Sequence, residues 1–401
     1  MKTHAEPIGG PLLTKPFLGL AALFGVACAV ILWRFAFGIG AVSALSDGFP
    51  WGIWIAFDVV TGTALACGGY AVAILVYVLN KGRFHPLVRP AILTSALGYT
   101  VAGLSLAVDV GRPWTFWRVP IFFTEWNFNS ALLEVALCIM SYIGVLWIEL
   151  SPAFLERWKD AEVTSLRRFA RAVLPLLDKY LVWIIALGLL LPTMHQSSLG
   201  TLMILTGWKL HAFWQTPLLP LLFLLSCMVM GYSVVVFESS LANWLFGRKP
   251  ETRMLSALSG AMVTVIFIFL GVRVFDLAWR GQVGAAFTSG RHSLMLAGEF
   301  ALLLAPAILL MSRATRGSLG GQFRAAMLMM LAGALYRFDA FLIAYNPGDN
   351  WSYFPSIGEM TITLGLVALE IMAYVVIVRN FPVLGGMGGV SPAVAGQQGV
   401  Q

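Results

Sequence analysis

A chain of 401 residues that is 59% hydrophobic and only 11% charged, with a mean hydropathy of +0.83, does not have the composition of a water-soluble globule. It reads as a polytopic membrane protein. The net charge of +7 is scattered over loops instead of being gathered on one soluble face, which speaks against nucleic acid as a partner. Cys28, Cys67, Cys138 and Cys227 all lie inside apolar runs without Cys-x-x-Cys spacing, so they read as small core residues, and no metal site or iron–sulfur cluster is expected in this chain.

Crossing a hydrocarbon core of ~30 Å takes about 20 apolar residues. In chain order such runs fall at 17–37, 51–79, 88–109, 129–149, 177–198, 217–239, 257–275, 293–311, 324–345 and 360–380. The first contains Gly25-Val26-Ala27-Cys28, a faint cleavage-site pattern, but its apolar stretch continues to Phe37, too long for a secretory signal, and predicts an uncleaved helix. The expected fold is an all-α membrane protein of about ten transmembrane helices, with two four-helix bundles (about 51–198 and 217–345) and flanking first and last helices. Residues 1–16 form an N-terminal tail, 17–381 the transmembrane domain, and 382–401, rich in Gly, Ala and Gln, a disordered tail. The 150–176 segment is the longest polar stretch between runs and reads as a loop.

Lys and Arg concentrate in alternate loops, notably Lys81, Arg83 and Arg89, then Arg157 to Lys179, then Arg248, Lys249 and Arg253, then Arg313, Arg316 and Arg324. The positive-inside rule puts those loops and both termini in the cytoplasm. The expected location is a bacterial inner membrane. The opposite loops, facing the periplasm, carry Trp114, Trp117, Trp126, Trp208, Trp214, Trp351, Tyr353 and Phe354, a density that suits a protein-docking surface as well as the interface.

The second to fifth and sixth to ninth runs have loosely corresponding polar insertions. Asp58 is matched by Glu238, Asp109 by Arg273 and Asp276, Glu134 by Glu299, and His195 by Arg337 and Asp339. A repeat about an axis along the membrane normal would account for this. Gly62, Gly68 and Gly69 suit close helix packing better than phosphate binding.

Asp58, Asp109, Arg112, Glu134 and His195 stand in or at the ends of four runs, near one membrane face. Charge at membrane depth costs about 2.5–3.5 kcal/mol per residue on insertion scales, so such groups face a bundle interior, pair, or line a path. At about 1.5 Å per residue, Asp58 comes out roughly 10 Å deep, Glu134 roughly 7 Å and His195 roughly 5 Å, with Asp109 and Arg112 at the rim. Acid, base and hydrogen-bond donors in one layer fit a quinone headgroup, whose reduction takes two electrons and two protons. Simpler readings compete: an interfacial ion pair for Asp109 and Arg112, snorkelling or pairing with a neighbouring acid for Arg34, and a helix-end hydrogen bond for His195. Of the histidines at 4, 85, 195, 211 and 292, only His195 lies inside a run, so a paired-histidine haem is not expected and electrons would come from an external carrier.

The stretches Phe49 to Asp58, His85 to Pro90 continuing through Asp109-Val110-Gly111-Arg112, Asn129-Ser130 leading to Glu134, Leu191 to Gly200, and Tyr345-Asn346-Pro347-Gly348 resemble the NrfD/polysulfide-reductase membrane-subunit family, in particular its HybB-type members from nickel–iron hydrogenases. The resemblance spans roughly Gly9 to Phe381. It implies a haem-free subunit, without an iron–sulfur cluster of its own, that binds menaquinone or ubiquinone as substrate. Its partners would be a periplasmic ferredoxin-like iron–sulfur subunit, fed by hydrogenase small and large subunits, besides membrane lipids. It also implies proton transfer by Glu134; the depth and grouping of the polar residues, not the resemblance, make Asp58 and His195 further catalytic candidates and Asp58, Asp109, Arg112, Glu134 and His195 together the expected quinone-binding set. Two other readings remain open: a family relative serving polysulfide, nitrite or sulfite respiration, and a secondary transporter, against which stands the lack of corresponding Gly- or Pro-broken helices in the two halves.

Overall fold

The structure, a computed structural model, describes residues 7–247 and 252–384. His4, Arg248, Lys249 and most of the expected C-terminal tail lie outside the described residues. Among the described residues ten helices are long and apolar enough to cross a membrane: α1 Lys15–Phe37, α2 Trp54–Val78, α3 Gly82–Asp109, α4 Ala131–Trp158, α5 Thr164–Ile204, α6 Leu219–Phe246, α7 Thr252–Trp279, α8 Arg291–Met311, α9 Leu319–Ile343 and α10 Ile357–Asn380. Each overlaps one of the expected runs. Their starts are set by local chemistry. Ser130 and Ser356 cap α4 and α10, accepting from Leu133 N at 3.2 Å and Glu359 N at 3.0 Å, and the Glu359 carboxylate accepts in return from Ser356 N at 2.8 Å, closing a capping box.

The helices pack as a chain of neighbours. α2 lies against α3 and α6, α3 against α4, α4 against α5, and α5 against α6. α6 then packs on α7 and α9, α7 on α8, and α8 on α9, while α9 returns to touch α2. α1 packs on α10, which in turn lies on α3. Small residues permit the closest approaches. A Cβ on Gly231 of α6 would stand 2.5 Å from the Cys67 carbonyl oxygen, and one on Gly365 of α10 would collide with Ala27 Cβ of α1. Gly68 and Gly69 also pack, the latter against Ser95, whose Oγ accepts from Gly69 N at 2.9 Å; Gly62 has only its own helix within reach.

α2 is not a uniform helix. It is π-wound over Trp54–Thr61, breaks at Ala66 and Cys67, and is π-wound again over Ile74–Val78. Apolar patterning gives no sign of this break, and α6, the expected counterpart of α2, is continuous. α9 is π-wound only at its end, Asp339–Ile343. Such wide turns redirect side chains and free backbone carbonyls, and they recur at functional positions.

Two boundaries differ from the sequence reading. Helix α4 runs on to Trp158 and α5 begins at Thr164, so the expected 150–176 loop is mostly a helical hairpin. With 41 residues, α5 is about 60 Å long at 1.5 Å per residue, twice the hydrocarbon thickness. Val383 and Leu384, assigned to the tail by composition, are buried beside Val378. At the other end, Ile8 N and Gly9 N donate to the carbonyls of Val378 and Arg379, both at 3.1 Å, tying the N-terminal segment to the last turns of α10.

Candidate functional site

Asp58 sits on the π-wound start of α2 and is 6% exposed. Its Oδ2 accepts from Ser105 Oγ of α3 at 2.6 Å and from Thr363 Oγ1 of α10 at 3.0 Å. Three helices thus meet at one carboxylate. Two hydroxyl donors can hold it ionised, or turn to accept from it once it is protonated, because a hydroxyl rotates freely.

Toward the same end, Asp109 closes α3 and has a buried Oδ1 without a protein partner. Its charged neighbour is Arg34 of α1, not Arg112. The buried Arg34 guanidinium acts on Asp109 electrostatically and donates to the carbonyls of Val108 and Val110, both at 2.7 Å. Arg112 is exposed and forms no ion pair among the described residues, so the ion pair considered for Asp109 and Arg112 is not made. Glu359 completes this rim, accepting from Ala44 N at 2.9 Å and from Tyr353 Oη at 2.8 Å. Burial and that carboxylate push the Tyr353 phenol well above its usual range, so it remains a donor.

His195 lies on α5 and is fully buried. Because α5 continues to Ile204, the imidazole stands about 13 Å below the helix end at 1.5 Å per residue, deeper than the sequence count placed it. Its Nε2 is 3.2 Å from Thr63 Oγ1, and its Nδ1 has no protein partner. Gln196 Nε2 donates to the same Thr63 hydroxyl at 3.1 Å and to Tyr99 Oη at 3.3 Å, while Gln196 Oε1 is unpartnered. The Tyr99 ring meets His195 edge-on at 5.7 Å and Tyr142 of α4 at 4.6 Å. An imidazole nitrogen and an amide oxygen are thus left without partners among buried hydroxyls.

Glu134 is in the first turn of α4 and half-buried. No side-chain hydrogen bond or ion pair joins it to Asp58 or His195. The five expected residues therefore divide into a rim and carboxylate group (Asp58, Asp109), a deeper imidazole group (His195), and two placed apart (Glu134, Arg112). The sequence reading did not single out Thr63, Tyr99, Ser105, Gln196 or Thr363. Tyr99 and Gln196, polar side chains inside apolar runs, were the available signal. Two more carboxylates went unremarked or were noticed only as repeat counterparts. Glu370 of α10 stands close to Gly98, and Glu238 of α6 accepts from Thr94 Oγ1 at 2.6 Å and Tyr374 Oη at 2.5 Å.

The C-terminal half has its own buried ionic group. Arg273 of α7 donates from Nε to Glu299 Oε1 of α8 at 3.1 Å, and from Nη1 to the Phe213 carbonyl at 2.6 Å. Asp276 accepts from Thr216 Oγ1 at 2.5 Å and is gripped by Arg280 at 2.9 and 2.6 Å. Trp214 Nε1 donates to Glu299 Oε2 at 3.2 Å, so this network clamps the 205–218 loop. His211 and His292 stack above it, ring centres 4.0 Å apart and planes 12° apart. Burial and the adjacent His292 ring hold the His211 imidazole below its usual range.

A family model described as "Polysulphide reductase, NrfD" matches residues 41–347. The chain is 42% identical over 391 residues, 96% of either protein, to the "Probable Ni/Fe-hydrogenase 2 b-type cytochrome subunit" of Escherichia coli strain K12. It is 29% identical over 373 residues, 86% of each, to the "Menaquinone reductase, integral membrane subunit" of Nitratidesulfovibrio vulgaris. It is 22% identical over 410 residues to a selenate reductase subunit of Mesobacillus selenatarsenatis, covering 91% of this chain and 93% of that one.

The first of these names corrects the expectation of a chain without haem, since a b-type cytochrome subunit is named for haem. The histidine count tested only for two axial imidazoles supplied by one chain; ligation by Met, Tyr or a partner escapes it. Among the described residues, His195 turns Nε2 to Thr63, and the His211 and His292 rings lie face to face at 4.0 Å, too close to admit a macrocycle. These histidines do not fit a bis-imidazole haem, and no step below passes through one.

Proposed function

The chain belongs to the NrfD, polysulphide reductase family, and on that basis we propose that it is the quinone-reactive membrane subunit of a respiratory nickel–iron hydrogenase. It resides in the bacterial inner membrane with both termini in the cytoplasm. Electrons arrive from a periplasmic iron–sulfur subunit, itself supplied by hydrogenase small and large subunits, and leave on menaquinone or ubiquinone. The exposed side chains of Trp114, Trp117, Phe128, Trp208 and Phe354 on the proposed periplasmic side suit that subunit's docking surface.

The observation that carries the reading is the buried polar cluster around His195, with Nδ1 and Gln196 Oε1 unpartnered. A quinone carbonyl needs a hydrogen-bond donor as its oxygen gains charge, and the product hydroquinone needs an acceptor. An imidazole with a free nitrogen supplies either, according to tautomer. Asp58, bound by two hydroxyls, supplies a proton, and Glu134, which enters through the family resemblance, exchanges one at the start of α4. The name of the menaquinone reductase relative favours a quinone as substrate.

The test is a set of single variants assembled in the hydrogenase complex, assayed for hydrogen-dependent quinone reduction and for dye-linked hydrogen oxidation. Glu134→Gln and His195→Gln should lose the first and keep the second. Quinone reduction at the parental rate in both would sink the assignment.

A further inference from the structure

Asp339 opens the π-wound end of α9, where Ala344 N bonds back five residues to the Asp339 carbonyl at 2.7 Å. It is fully buried, and neither carboxylate oxygen has a hydrogen-bond partner. One turn earlier the buried Tyr336 Oη is also unpartnered, as is Arg273 Nη2, whose guanidinium carbon stands 5.8 Å from the Tyr336 ring centre. Three polar groups from two helices are thus unmet, with Arg273 within electrostatic reach of both Asp339 and Tyr336.

The charges around Asp339 are already matched. From α7, Arg273 engages Glu299 of α8, and Arg280, just past the end of α7, engages Asp276. The neighbouring Arg337 turns away, donating to Val60 O, Phe223 O and Ser226 Oγ. Trp214 and Thr216, from the clamped loop, are spent on Glu299 and Asp276. Asp339 is the third acid beside two committed cations. A buried carboxylate with no ion-pair contact and no hydrogen bond is unfavourable as an anion, and a proton or water removes that penalty.

We infer that Asp339 is a proton-binding site in the C-terminal half, distinct from the quinone pocket, sharing a small water cluster with Tyr336 Oη and Arg273 Nη2. The step is simple: a hydronium ion gives one proton to the carboxylate and leaves as water, and the neutral carboxyl group then donates to that water. The π turn places the carboxyl there, and Arg273 ties the site to the 205–218 loop through Glu299 and Trp214.

The experiment is difference infrared spectroscopy on the full chain in its purified complex, comparing wild type with Asp339→Asn, in H2O and D2O. The expected result is loss of one protonated-carboxyl C=O band that shifts to lower frequency in D2O, with no loss of ionised-carboxylate intensity. Loss of a carboxylate band instead would overturn the proposal. If Asp339→Asn does not assemble, Asp339→Glu and Tyr336→Phe serve. A changed frequency of that band in either supports the site, and an unchanged spectrum in both overturns it.

Discussion

Arg337 Nη1 of α9 donates to the Val60 carbonyl of α2 at 2.6 Å, at the π-wound stretch where ordinary helical bonding is rearranged. The same guanidinium reaches Phe223 O and Ser226 Oγ on α6 at 2.8 and 3.0 Å. One cation therefore joins three helices. Replacing Arg337 by Lys cannot serve acceptors in a planar fork. Each charge-assisted bond lost costs about 1.5–3 kcal/mol, so Arg337→Lys should lower the thermal unfolding midpoint in detergent; an unchanged midpoint would show the contact to be incidental.

The Gly231 site offers a sharper steric test. A Cβ there would lie 2.5 Å from the Cys67 carbonyl oxygen, in the break of α2, where backbone cannot yield cheaply. Gly231→Ala is expected to destabilise by about 1–3 kcal/mol, as overpacking does. Gly271→Ala on α7, where nothing lies within 4 Å, should be neutral or slightly stabilising. Equal behaviour of the two in thermal unfolding would contradict the close approach.

At Asp58, Asn keeps the shape and an acceptor but cannot ionise. If its carboxyl transfers protons, Asp58→Asn should slow hydrogen-dependent quinone reduction by about 10²–10⁴-fold, the usual contribution of a general acid or base. Ser105→Ala, which removes one donor at 2.6 Å, should cost far less. Steady-state rates with dye-linked activity as the control decide it, and equal losses in both variants would make Asp58 a packing element.

The His211 ring is held below its usual pKa, so the unfolded or opened loop binds a proton more readily than the folded one. The folded loop is thus favoured above the unperturbed value of about 6.5 and loses stability as pH falls through it. Hydrogen-exchange protection of the 205–218 loop, taken relative to the intrinsic amide rate at each pH, should fall below that pH in the parent and not in His211→Gln. A pH-independent parent would remove the stacked imidazoles from consideration.

All ten spans were legible because apolar run length is a direct consequence of bilayer thickness. The hairpin of α4 and α5 was not, since scanning by hydropathy ignores polar helix formers such as Glu156, Arg167, Arg168 and Arg171, which have good helix propensity outside the hydrocarbon. Asp58 and His195 were found as polar residues at membrane depth, but their partners were not. Ser105 and Thr363 lie 47 and 305 residues away from Asp58 and look like ordinary small helix residues. The π turns were invisible because hydrogen-bond register leaves no mark in composition. Arg273 and Glu299 were noticed as counterparts of N-terminal residues, while their bond to each other depends on how α7 faces α8.

The contact of α1 with α10 bears on how the molecule is assembled. A ribosome delivers α1 to the membrane before α10, so α1 waits through the insertion of the eight helices between them before its partner exists. Until then the surface around Ala27 lacks the Gly365 backbone that packs against it. Docking α10 closes the molecule, ties the N-terminal backbone at Ile8 and Gly9 to the final turns, and brings Thr363 to Asp58. The Asp58 carboxylate acquires its second hydroxyl donor only once α10 is in place, so a chain interrupted before α10 leaves that carboxylate with Ser105 alone.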